Sequence, residues 1–105
     1  MDELNRYWIG TDLKFAFRVK AKSTQELLDN FDIWLVCGTK KEQVSPENII
    51  YDDENEQHVL LVDSTQFPSG ILTMVVNARV NDADFVSGIR REVGRIELCK
   101  IKFPW

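Results

Sequence analysis

Scarcity narrows the chemistry of this chain before any motif is sought. It carries one histidine and two cysteines in 105 residues, so a zinc-type site, which gathers several Cys or His ligands, would find at most three widely separated donors. Its five glycines are scattered, and none form the spaced run ahead of a helix that cradles phosphates. A hydrolytic triad needs a base held beside a nucleophile; His58, with Val59 after it in a strand-like run, reads as a strand residue, packed or on the surface. Carboxylate pairs drawn from Asp12, Asp32, Asp63 or Asp84 are open to almost any acidic sandwich and specify no reaction. No catalytic, cofactor-binding or metal-ligating residue is assigned, and the expectation is a protein that is not an enzyme.

Other absences concern location. No apolar run approaches the roughly 18 to 20 residues of a membrane span. Met1-Asp2-Glu3-Leu4 has neither the basic end nor the apolar stretch of a signal peptide, so the chain is expected to stay in the cytoplasm unless a larger particle such as a virion carries it. The net charge of -4 arises from 17 acidic against 13 basic residues with the signs interspersed, which disfavours nucleic acid and anionic membranes as partners.

What the chain does have is alternation. With 44% hydrophobic residues it is expected to form a single domain over residues 1–105 around one modest core. In Gly70–Val80, Leu72, Met74, Val76, Ala78 and Val80 share one parity while Thr73, Asn77 and Arg79 share the other, the signature of a long central strand with one buried face. Val75 is the apolar member of the outward row, so that face is either covered or offered to a partner. Leu13, Phe15, Phe17, Val19 and Ala21 alternate with Lys14, Arg18, Lys20 and Lys22, a core face backed by a cationic one. Phe31–Cys37 is apolar at nearly every position, as in a strand buried on both sides or one flanked by another element, and reads as a second central strand. Leu4–Ile9, Ile49–Tyr51 and His58–Val62 read as shorter strands, the last two as a hairpin across the acidic turn Asp52–Glu56. Ser23 and Glu26 have capping-box spacing and predict a short helical turn whose Leu27 and Leu28 plug one end. Gly38–Gln43 is polar and reads as a loop. Phe67 reads as a plug in a connector, and Phe85 and Val86 as loop residues that pack back on the domain, the alternative being an exposed aromatic contact.

From Gly88 the pattern is strand again, but its parity changes: Ile96 and Leu98 are even, Ile101 and Phe103 odd. One inserted residue near Leu98 or Cys99, a β-bulge or a strand switching sheets, restores the inward face. Cys37 and Cys99 invite comparison with an inter-sheet disulfide. Glu97 stands two residues before Cys99 in place of a tyrosine, however, and Trp34 precedes Cys37. Two buried free thiols are expected. About seven short strands in all point to an all-β fold, an immunoglobulin-like antiparallel β-sandwich.

Gly10-Thr11-Asp12-Leu13 entering an alternating strand, Asp63-Ser64-Thr65, Pro68-Ser69-Gly70 and the Gly88–Leu98 return occur in an order that resembles the immunoglobulin-like N-terminal domain of phage baseplate upper proteins and similar phage or mobile-element domains. The resemblance covers most of the chain. It implies a structural or docking module of a tail or baseplate, with other protein subunits, or a second copy, as partners. The alternative reading is a carbohydrate-binding sandwich, in which Tyr7, Trp8 and Trp105 would stack on a glycan. Tyr7, Trp8, Val75 and Trp105 are the candidate interaction residues; the three aromatics are expected to pack mainly against their own core.

Overall fold

The computed structural model describes residues 4–105; residues 1–3, part of the stretch read for a leader and of the 1–105 domain, lie outside the described residues. Eight strands and one short helix are present among them: β1 (Arg6–Trp8), β2 (Asp12–Phe17), α1 (Thr24–Asn30), β3 (Phe31–Cys37), β4 (Lys40–Gln43), β5 (Ile49–Asp52), β6 (Gln57–Asp63), β7 (Gly70–Asn81) and β8 (Ile89–Lys102). They form a five-stranded sheet in the order β1-β8-β7-β3-β4 and a three-stranded sheet in the order β2-β6-β5, two sheets packed together as an all-β sandwich.

The long alternating run is β7, interior to the large sheet and paired with both β3 and β8. Ile33, Leu35 and Cys37 of β3 and Leu72 and Met74 of β7 meet Leu13, Ile49, Leu60 and Val62 of the small sheet in one buried cluster. The hairpin expected between Ile49–Tyr51 and His58–Val62 is present, with Ile50 opposite Val59. The parity change in β8 is a bulge: Leu72 faces Cys99, but the next residue, Thr73, faces Glu97, leaving Leu98 as the inserted residue. Ser23 caps α1 by accepting from the Glu26 N–H at 3.0 Å. The Glu26 carboxylate reaches back to the Lys22 N–H at 2.9 Å, one residue earlier than a standard capping box. Leu27 is buried at the end of the core.

Four expectations are corrected. Residues Lys40–Gln43, read as loop, are strand β4: Gly38, at φ 59°, and Thr39 turn the chain back so that Lys40 pairs with Cys37. The strand is polar at every position because it lies at an edge and is held by backbone pairing rather than burial. β3 is buried on one face only, with Trp34 and Val36 half-buried on the other. The inward row of β7 is fully buried only at Leu72 and Met74, while Val76, Ala78 and Val80 are half-buried. Val76 still packs against the core cluster, while Ala78 and Val80 farther along lie outside it, so the distal end of the β7–β8 hairpin projects beyond the core. Phe85 and Val86, at that hairpin's tip, do not pack back; Val86 is fully exposed.

Candidate functional site

β1 runs parallel to the end of β8, pairing Arg6 with Lys100, Tyr7 with Ile101 and Trp8 with Lys102. Alternation sends Tyr7 inward with the buried Ile101, where it packs against the core, and leaves Arg6 and Trp8 on the outer face. Trp8 is 59% exposed. Just past β8, the Phe103 ring stacks on Trp105 at 5.9 Å between centroids and 30° between planes, and Trp105 is 92% exposed. Arg6, Trp8, Lys102 and Phe103 line a concavity of about 430 Å³. Two tryptophans and a phenylalanine thus share one corner with two cations, a surface suited to stacking, apolar contact and acidic groups at its rim.

Phe103 thus neighbours Trp8 across the concavity and stacks on Trp105; both tryptophans are exposed, against the expectation that they pack on their own core, and Tyr7 and Val75 lie apart from them. Val75 lies on the outer face of the large sheet, half-buried between Trp34 of β3 and Arg95 of β8. On this face the Lys41 ammonium sits 4.4 Å over the Trp34 ring, and Thr73, in the same outward row as Val75, is buried. Phe103 was assigned inward by parity; it turns out because the strand ends at Lys102 and alternation no longer applies. Arg79, read only as an outward residue, bridges Asp32 at 2.6 Å and donates to the carbonyls of Leu28 and Asp29 at 3.3 and 2.8 Å. It ties the C-terminus of α1 to the sheet, where a cation also suits the exposed carbonyls.

His58 is fully buried. Its Nε2 donates to the Ala21 carbonyl at 2.9 Å, and its ring contacts Phe17 and Tyr51 at 5.6 and 5.0 Å, placing it in the packing at the end of β6. Cys37 and Cys99 are free and buried. Cys37 lies one residue past the Val36–Thr73 pair and so beside Leu72, whose other neighbour is Cys99. The two Cα atoms are thus two strand spacings apart, about 10 Å, beyond the ~7 Å between Cα atoms that a disulfide spans. Burial pushes both thiols up, that of Cys99 to about 11 with Cys37 adding to the effect; neither is a reactive nucleophile.

A larger concavity, about 630 Å³, lies over the start of β2 with Tyr7, Asp12, Phe15 and Asp63 in its wall. The Asp63 carboxylate there is engaged by the Thr65 hydroxyl at 2.6 Å and the Thr65 N–H at 3.0 Å. Those bonds hold it below the usual carboxylate range. Comparison of the chain with protein-family models, curated proteins and solved structures finds no match.

Proposed function

We propose that the chain is a non-enzymatic docking module of a protein assembly, an immunoglobulin-like domain of the phage tail or baseplate kind, that binds a neighbouring subunit through Trp8, Phe103 and Trp105. The observation that carries this reading is the joint exposure of those three rings at one corner, since exposed clustered aromatics mark contact sites and tryptophan dominates contact energies. Arg6 and Lys102 beside them favour a partner with an apolar surface and an acidic rim.

The order β2-β6-β5 against β8-β7-β3-β4 supports the immunoglobulin-like part, because it corresponds to B-E-D against G-F-C-C′ of variable-type domains. The segments carrying the resemblance also interlock. The Gly10 N–H donates to Ser64 Oγ at 2.8 Å, and Asp12 pairs with Asp63.

The test is co-purification. Expressed with the proteins encoded beside it, the chain is expected to retain a partner subunit, and Trp8→Ala with Trp105→Ala to lose it with an unchanged melting temperature. Retention by the double variant contradicts the reading. The same aromatic corner supports the carbohydrate-binding alternative, for which glycan-array binding lost on these substitutions is the discriminating result. Turnover of a substrate would sink both.

A further inference from the structure

β1 covers only Lys100–Lys102 of β8. Among the described residues no strand pairs with the other edge of β8 from Ile89 to Cys99, so a long row of backbone donors and acceptors faces outward, a template for a further strand. Which residues present it follows from the hairpin. The Asp82 N–H donates to the Gly88 carbonyl at 2.9 Å, and the ladder continues in step through Val80–Arg90, Ala78–Glu92, Val76–Gly94 and Met74–Ile96. In an antiparallel ladder every second pair is hydrogen-bonded. The even-numbered residues of this stretch therefore bond to β7, and Arg91, Val93, Arg95 and Glu97 turn their N–H and C=O groups to the open edge.

Gly94 sits in the middle of this edge. Its φ is not positive, and a Cβ built on it meets nothing within 4 Å, so neither a turn nor crowding inside the chain requires glycine there. A strand-interior glycine weakens the strand, and a common use for one is close approach by another backbone.

We infer that β8 pairs antiparallel with β8 of a second copy about a two-fold axis at Gly94, joining the two large sheets edge to edge. An axis perpendicular to the sheet keeps each face on its own side and pairs residues of like parity. Centred on Gly94, it sets Arg91 against Glu97 of the other copy, Val93 against Arg95, and the reciprocal pairs, all through the outward-turned backbone groups. Opposite charges thus meet twice. Both neighbouring registers set arginine against arginine: Arg91 opposite Arg95 when centred on Val93, and Arg95 opposite itself when centred on Arg95. The charge pattern selects a second copy in one register. At its centre the two Gly94 residues form a non-hydrogen-bonded pair, where backbones approach most closely.

Sedimentation equilibrium on the wild-type chain, Arg91→Glu, Glu97→Arg and the double charge swap tests this. The wild type is expected to dimerise. Each single variant is expected to bind itself at least about tenfold more weakly, because like charges replace opposite ones at both symmetric pairs, and the double variant to recover. In the wild type, amide exchange at Arg91, Val93, Arg95 and Glu97 slows as concentration rises, a readout that needs no variant. A wild-type chain monomeric at high concentration, concentration-independent exchange at these amides, or a dimer indifferent to the charge swaps each overturns the inference.

Discussion

β7 and β8 pass through two environments in one length. In the proximal half, Leu72, Cys99 and Ile101 are fully buried because β2, β5 and β6 lie over them. In the distal half the same alternation continues through Val76, Ala78 and Val80 opposite Gly94, Glu92 and Arg90, yet all three are only half-buried, and Ile96, on the same face, is 50% exposed. Alternation thus reports which residues share a face, while burial depends on how far the opposite sheet reaches. The proximal half holds the fold together, and the distal half and the aromatic corner leave backbone edge and apolar surface free for contact.

The sharpest way to break this comparison is to cut equally into both halves. Leu72→Ala, which empties a site sealed on all sides, is expected to cost about 3 to 4 kcal/mol in a denaturant titration. That is a large part of the ~5 to 15 kcal/mol typical of a domain. Next in size, Arg79→Ala loses bonds that hold α1 to the sheet and is expected to cost about 1 to 2 kcal/mol, read by the same titration and by loss of helical signal.

A smaller effect is pH-linked. The Cys99 thiol releases its proton at about 11 when folded against 9.0 ordinarily. Between those values the unfolded chain binds fewer protons than the folded one, so this group's contribution makes stability fall as pH rises through the window. Denaturation midpoints compared with Cys99→Ala are expected to show a shallower alkaline decline in the variant. Smallest of all, Val93→Ala on the projecting hairpin is expected to change monomer stability by no more than about 0.5 kcal/mol. A cost near that of Leu72→Ala would mean the outer face of the hairpin is covered.

Much of the fold was legible where side chains report burial: the alternation of β7, the β5–β6 hairpin, the Ser23 cap and the bulge at Leu98 each follow from local chemistry. β4 was illegible because four exposed polar residues carry no alternation, and backbone pairing to β3 leaves no trace in side-chain type. The exposure of Val80 and Ile96 was illegible for the reason given above, since nothing local records the length of the facing sheet. Of the aromatic corner, Trp8 and Trp105 stood out by size, but their meeting depends on β1 lying parallel to the end of β8, a long-range pairing. Phe103 was missed because parity was carried past the end of its strand.

Amide hydrogen exchange along β7 and β8, measured residue by residue at a concentration where the chain is monomeric, tests the division of these strands most directly. Slow exchange is expected at Leu72, Cys99 and Ile101, inside the covered half. Fast exchange is expected at Arg91, Val93, Arg95 and Glu97, whose N–H groups face the open edge. Equal protection at all seven would contradict both the open edge and the uncovered hairpin.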